Sequence, residues 1–216
     1  SFWLIASVKM YILMGFIPAL FMWVLFNYSQ KIKNVQVRVT MKVLMISLSF
    51  GATVFFLQQF SRSLGAYSLD NIAETSRITR DWILYMSETD EGSGYDLGAF
   101  SPTLGGMLSK FPAAVNVTLF RPYLWESRKI IVLISALEAL LFLFITIKVF
   151  VVVGIKQVWQ TISKDPTIQF CLIFSIIFAF AVGISTYNFG ALSRYKIPCM
   201  PFYAMAIILI YYKNMP

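Results

Sequence analysis

The residues able to do chemistry in this chain are few, and one type is missing. None of the 216 residues is histidine, which removes the commonest general base and metal ligand. Carboxylates and cations remain. Arg194 and Lys196 stand close together in Leu192-Ser-Arg-Tyr-Lys-Ile-Pro-Cys-Met-Pro-Phe202, and Arg121 in Phe120-Arg-Pro-Tyr-Leu-Trp-Glu126. Such cations suit a phosphate, because a guanidinium meets an oxyanion with two parallel N–H donors. Anchoring of helix ends at a membrane surface is the competing role for the same residues. Asp96, Glu126 and Glu138 are the candidate catalytic acids. Glu138 and Lys9 are charges inside otherwise apolar stretches. Each would lie roughly 10–12 Å below a bilayer surface at the helical rise, where an unpaired charge is costly. An interhelical Lys9–Glu138 pair is therefore expected, with acid/base or cation chemistry at Glu138 as the functional alternative.

Metals and nucleotides find less support. The run Glu88-Thr-Asp-Glu-Gly-Ser-Gly-Tyr-Asp96 could offer oxygen ligands to a divalent cation. It lacks the Asp-x-Asp-x-Asp-Gly order of an EF-hand, and a solvated acidic loop is the preferred interpretation. No metal site or cofactor is assigned. There is no Gly-x-x-x-x-Gly-Lys-Ser/Thr phosphate loop, and haem or chlorophyll cannot be held through histidine.

The elements that position these groups are membrane helices. Hydrophobic residues make up 58% of the chain and charged ones 13%, with a mean hydropathy of +0.72. That is about half the charge of an ordinary globular protein. About 20 apolar residues cross a bilayer as a helix, and the uncharged stretches place five spans at 3–26, 40–60, 130–153, 168–187 and 198–213. Each must be helical, since lipid satisfies no backbone polar group. Asp165-Pro166 suits a helix start. The expected fold is thus an all-α membrane protein in three parts. Residues 1–60 hold two spans, 61–129 form a long loop with one or two interfacial helices, and 130–216 hold three spans. A chain opening Ser-Phe-Trp next to an apolar run is read as a fragment of a longer multi-pass protein.

The net charge of +8 maps onto topology. Lys31, Lys33, Arg38 and Lys42, then Lys148, Lys156 and Lys164, then Lys213 fall in regions that alternate to share one side. By the positive-inside rule that side is the cytoplasm. Segment 61–129, nearly balanced in charge, is then extracytoplasmic and the C-terminus cytoplasmic, in a cell membrane. No argument for nucleic acid survives. Within the loop, Ile78, Trp82 and Tyr85 recur at i, i+4, i+7 over 69–86, which fits a helix on the membrane surface or one packed on the bundle. Ser101-Pro102 reads as the start of a second short helix carrying Leu104, Met107, Leu108 and Phe111, with Pro112 closing it. Cys171 and Cys199 should lie on the order of 25 Å apart, too far for a disulfide.

The Arg194-Tyr-Lys-Ile-Pro-x-x-Pro-Phe202 stretch at the start of a late span resembles multi-pass glycosyltransferases of the GT-C type. It is also similar to polymerases and other multi-pass proteins of bacterial surface-polysaccharide synthesis. The resemblance covers ten to twenty residues. It implies a polyprenyl-phosphate-linked sugar as substrate, with Arg194 and Lys196 near the lipid phosphate, in a bacterial inner membrane. GT-C enzymes carry a catalytic acid in an early external loop, and no Asp-Asp or Glu-Asp pair stands in that setting here. The chain is therefore expected to handle a polyprenyl-linked saccharide at the outer face, in glycosyl transfer or polymerisation. The alternatives are a non-enzymatic subunit of a membrane assembly, packed against protein partners, and a transporter with a midplane site between broken helices.

Overall fold

A computed structural model describes residues 10–29, 69–89, 93–101, 103–127 and 129–215, with scattered positions between 31 and 51. The described residues form α1 (Met10–Ser29), α2 (Leu69–Thr89), α3 (Leu104–Ser109), α4 (Phe111–Phe120), a 3-10 turn (Leu124–Glu126), α5 (Ile130–Val153), α6 (Ile155–Lys164), α7 (Pro166–Thr186), α8 (Phe189–Tyr195) and α9 (Met200–Asn214). No strand occurs among them, only an isolated antiparallel bridge between Gly94 and Asn188.

Two helices, α5 and α7, are long and apolar enough to cross a membrane, and α8 with α9 pass the same test as one span broken by a 66° bend. α1 and α4 are shorter apolar helices. Among the described residues this gives two to three candidate spans rather than five. The difference has identifiable causes. The expected 40–60 span falls mostly outside the described residues, as do the first nine residues of the chain. The expected loop at 188–197 is largely helix α8, so the last span begins earlier and is interrupted.

α7 is the central helix: it is apolar on every side, as α5 is, but it lies among α1, α4 and α9 and so is covered by protein where α5 is not. It buries Ile168, Cys171, Phe174, Phe178, Ala179 and Val182 among others. α1 meets it through Phe16, whose ring stands edge-on to Phe170 and Phe174 at 5.8 and 5.6 Å. α4 comes closest, because Ala179 and Gly183 present small residues four apart and let the backbones approach. The buried Thr118 hydroxyl lies 2.9 Å from the Ala114 carbonyl and 2.8 Å from that of Ala179 across the interface. α5 differs: Ala136 and Ala139 are buried, whereas Ile134, Leu137, Leu141 and Phe144 are exposed. An apolar helix bare on one flank is built to face hydrocarbon or another apolar surface.

Gly154, at φ 84° and ψ 140°, ends α5 in a conformation glycine adopts at little cost. The chain then enters α6, a helix in place of the plain connection expected between the two spans. Its signal was legible in Ile155, Val158, Trp159 and Ile162, which share one helical face. Val158 is buried, but Ile155 is 75% and Trp159 71% exposed. Asp165 caps α7 as expected, accepting from the amides of Thr167 (2.7 Å) and Ile168 (3.2 Å), with Pro166 in the first turn. α1, α6 and α9 converge at this end of the bundle. Trp23 Nε1 donates to Thr167 Oγ1 (3.4 Å), Asn214 Nδ2 donates to Thr161 Oγ1 (2.9 Å), and Lys213 pairs with Asp165. Lys31, Lys156, Lys164 and Lys213 thus stand at one end.

Burial pushes the Asp165 carboxyl up, but the Lys213 ion pair and the two amide donors outweigh it and hold it below its ordinary value of 3.8. A carboxyl depressed in the folded state stabilises the fold fully above its unfolded-state value, and that contribution disappears as pH falls through the folded one. Thermal unfolding followed from about pH 5 to about pH 2 is expected to fall less steeply in Asp165→Asn than in the native chain. Parallel curves would show that ionisation of Asp165, and with it the Lys213 ion pair, adds nothing.

In the long loop, α2 appears where expected and runs three residues further. It turns Ala73 and Ser76 to the bundle and leaves Ile78, Trp82 and Tyr85 exposed. The anticipated apolar stripe therefore points away from the core. α3 is capped by Thr103, whose hydroxyl accepts from the Gly106 amide at 3.1 Å, and not by Ser101. Pro112 does not close that helix but opens α4, where its missing N–H leaves no intrahelical bond unmade. The cysteines are free, yet nearer than expected. Ser175 Oγ lies 2.6 Å from the Cys171 carbonyl and 3.2 Å from that of Cys199. Cys199 therefore packs about halfway along α7, because α8 has already carried the chain down from the end of that helix.

Candidate functional site: the bend between two half-helices

The α8–α9 bend is where the described residues gather charge within the apolar bundle. Asn188 starts α8 by accepting from the Ala191 amide (3.2 Å). Lys196 closes it, its own amide bonded to the Leu192 carbonyl at 2.9 Å. The Lys196 carbonyl then accepts from the amide (3.0 Å) and thiol (3.1 Å) of Cys199. Pro201 lies in the first turn of α9. The expected proline-driven entry to the last helix is present, but deep in the bundle beside Ser175 and not at the end of α7.

The two cations of the motif separate at this bend. Lys196 has a side chain only 1% exposed, and its Nζ makes no hydrogen bond among the described residues. Glu138 Oε1 is 3.8 Å away, on a side chain 44% exposed at the flank of α5. Lys9 lies outside the described residues, so of the anticipated Lys9–Glu138 pair only the carboxylate is placed, and it faces Lys196. Arg194 is exposed. Its Nε donates to the Gly190 carbonyl (3.3 Å), and no carboxylate engages it among the described residues.

The remaining candidates are engaged elsewhere. Arg121 Nε donates to Glu126 Oε2 at 3.0 Å, and Nη2 meets Oε1. The Glu126 carboxylate also accepts from the Tyr123 amide (2.8 Å). The Arg121 guanidinium stands 5.7 Å from the Tyr123 ring and 5.5 Å from that of Phe189. It therefore touches the first residue of α8, while Arg194 occupies the last turn, about 7–8 Å further along the axis. Asp96 is held by Arg80, with Nε at 2.8 Å and Nη2 at 3.0 Å, and by the Gly98 amide at 2.9 Å. These contacts, the Arg80 guanidinium first, keep its carboxyl below the usual range. An acid paired on both oxygens is suited to tying the loop to α2. Among the described residues no three His, Cys, Asp or Glu side chains gather to hold a metal; the side chains of Glu88, Asp90 and Glu91 lie outside them.

Two residues near the site gave no sequence signal. Tyr95 is buried, donates its hydroxyl to the Gly183 carbonyl (2.9 Å) and its amide to the Tyr187 carbonyl (3.0 Å). Tyr187 is buried at φ 51°, a left-handed conformation unusual for a residue with a side chain. Together they fix the turn from which α8 descends. Nothing in a single sequence marks a tyrosine for such a position.

Comparison with protein-family models, curated proteins and solved structures finds no match to this chain.

Proposed function

We propose that this is an integral membrane protein that holds the phosphate of a polyprenyl-linked saccharide at the α8–α9 bend, with Arg194 as the phosphate-facing group. One observation carries the proposal. Of the four arginines with described side chains, Arg77, Arg80 and Arg121 are each engaged by carboxylates, and Arg194 is not. An exposed guanidinium at the break of an apolar helix pair needs an anion or water, and intramembrane charges of this kind mark substrate sites. Lys196 behind it adds positive charge without reaching the surface. On this reading the 40–60 segment and α1 complete a five-span chain, and α2 rests on the outer surface through Ile78, Trp82 and Tyr85. The lysine-rich end faces the cytoplasm. Arg121 shapes the first turn of α8 and does not contact the phosphate.

The test compares polyprenyl monophosphate with the same polyprenol in reconstituted nanodiscs. Arg194→Ala is expected to weaken phosphate-lipid binding about tenfold or more and leave polyprenol binding unchanged, with Arg194→Lys intermediate. Equal binding of the two lipids by the native chain would sink the proposal. A second reading, passage of an anionic solute across the membrane, draws on the broken helix pair with a cation at its break. It predicts uptake of an anion into proteoliposomes, lost in Arg194→Ala.

A further inference from the structure

A polar cavity of about 480 Å³ opens at the lysine-rich end, between α6, the start of α7 and the end of α9. It lies about 20 Å along α9 from the α8–α9 bend. α6 supplies Gln157, Gln160, Thr161 and Lys164, at i, i+3, i+4 and i+7, so one continuous helical face lines it. Asp165, Lys213 and Asn214 stand across from that face of α6 in the lining.

The oxygens of its acid and its hydroxyl are already used within the protein. Asp165 Oδ1 accepts from the amides of Thr167 and Ile168, and Oδ2 meets the Lys213 ammonium. Thr161 Oγ1 accepts from Asn214 Nδ2 and donates to the Gln157 carbonyl, each at 2.9 Å. The donors are not used up. Lys213 has three N–H groups, of which Asp165 takes one, on a side chain half exposed. The carboxamides of Gln157 and Gln160 are exposed and make no hydrogen bond among the described residues. Lys164 adds a second cation, so the lining carries two positive charges against one negative. Surplus donors and surplus positive charge suit an oxyanion, which ammonium groups hold through charge-assisted hydrogen bonds.

Size and direction narrow the ligand. The volume falls within the roughly 300–1,000 Å³ of small-molecule pockets, more than a bare ion needs. Ile155 and Trp159 lie on the opposite face of α6 and are bare. A helix of that kind at a membrane surface turns its apolar face to the hydrocarbon and its polar face, here the cavity, to water.

We infer that this cavity binds a small water-soluble phosphate ester. The phosphate faces Lys164 and Lys213, and the carboxamides of Gln157 and Gln160 bond the polar body that carries it. The inference is independent of what Arg194 binds.

The test is isothermal titration of the full chain in detergent with glycerol phosphate, glycerol and inorganic phosphate. Glycerol phosphate is expected to bind about tenfold or more tighter than glycerol, and about threefold tighter than inorganic phosphate. Gln160→Glu, which sets a negative charge in the wall, should weaken its binding about tenfold, and Gln160→Lys should strengthen it about threefold. Opposite shifts at one exposed position report charge recognition and not a damaged fold. Equal binding of the ester and glycerol, or of the ester and inorganic phosphate, overturns the inference, and neither comparison needs a variant to fold. Unchanged binding in both variants places the ester elsewhere and overturns it, as does the same change in both. Phosphatidate added to the detergent micelles should not displace glycerol phosphate. Displacement would assign the site to a lipid headgroup and overturn the soluble ligand.

Discussion

Replacing Gly183 with alanine is expected to lower the thermal unfolding midpoint of the detergent-solubilised protein by roughly 5–10 °C, a loss of about 2–4 kcal/mol. A Cβ at this position would stand 2.7 Å from Thr118 Oγ1 and closer still to the Ala114 carbonyl oxygen. Neither can give way easily, because one is backbone and the other is bonded on both sides of the α4–α7 interface. Separating the helices far enough for a methyl group weakens the contact between Thr118 and the Ala179 carbonyl. It also disturbs the Gly183 carbonyl, which accepts from the buried Tyr95 hydroxyl at 2.9 Å. The damage would therefore reach the turn at Tyr187 and the entry to α8. Gly105→Ala in α3 is the matched control, since a Cβ there meets nothing within 4 Å. A midpoint for Gly183→Ala as close to the native value as that of the control would show that the two helices are not in tight contact.

This contact also shows where single-sequence reasoning stops. The apolar stretches at 130–153 and 168–187 predicted α5 and α7 to within two residues, because length without charge is a local property. The Asp165 cap was legible for the same reason. Which face of α7 meets α4 is a pairwise property. Ala179 and Gly183 at i, i+4 form a small-residue pattern, but such spacing is common enough that only Thr118 and Ala114 across from them give it meaning. The α8–α9 break falls between these cases. Asn188, a favoured cap residue, precedes a short apolar run, and Pro198 and Pro201 forbid an unbroken helix beyond it. Those marks locate a bend, but its depth depends on how Cys199 packs against Ser175.

The candidate site divides in the same way. Arg194 and Lys196 stand out as a cation pair at the outer start of a span and Glu138 as a charge inside one, and the structure brings Lys196 and Glu138 to 3.8 Å. The choice of Lys9 as the partner of Glu138 assumed that Lys196 sat at the membrane boundary. Once α8 carries the chain inward, Lys196 reaches the level of Glu138. Arg121 and Glu126 are candidates because they stand among aromatic residues just before a span, and Asp96 because it is an acid of the long loop. Sequence gave no sign that Glu126 would engage Arg121 five residues away, or that Arg80 would grip Asp96 sixteen residues away.

The Lys196–Glu138 pair should be energetically lopsided, and that is the second large effect. Lys196 is almost wholly buried, whereas Glu138 keeps nearly half its side-chain surface. Glu138→Ala leaves an ammonium inside the bundle with no counter-charge, which is expected to cost about 2–4 kcal/mol. Lys196→Met fills nearly the same volume, removes the desolvated cation and leaves on the bare flank of α5 a carboxyl that can take a proton and become neutral. Its stability should stay within about 1 kcal/mol of the native protein or exceed it. The double variant Glu138→Ala/Lys196→Met should recover most of what Glu138→Ala loses, since the charge that needed compensation is gone. Equal costs for the two single variants, or no recovery in the double one, would mean that the pair stabilises through its contact and not by compensating a buried charge. The same set bears on function. If Lys196 only balances Glu138, the double variant should bind polyprenyl phosphate as the native chain does. A protein that is stable but binds the phosphate lipid several-fold more weakly would instead assign Lys196 a part in attracting the anion to Arg194, through the positive potential it adds from within the bundle.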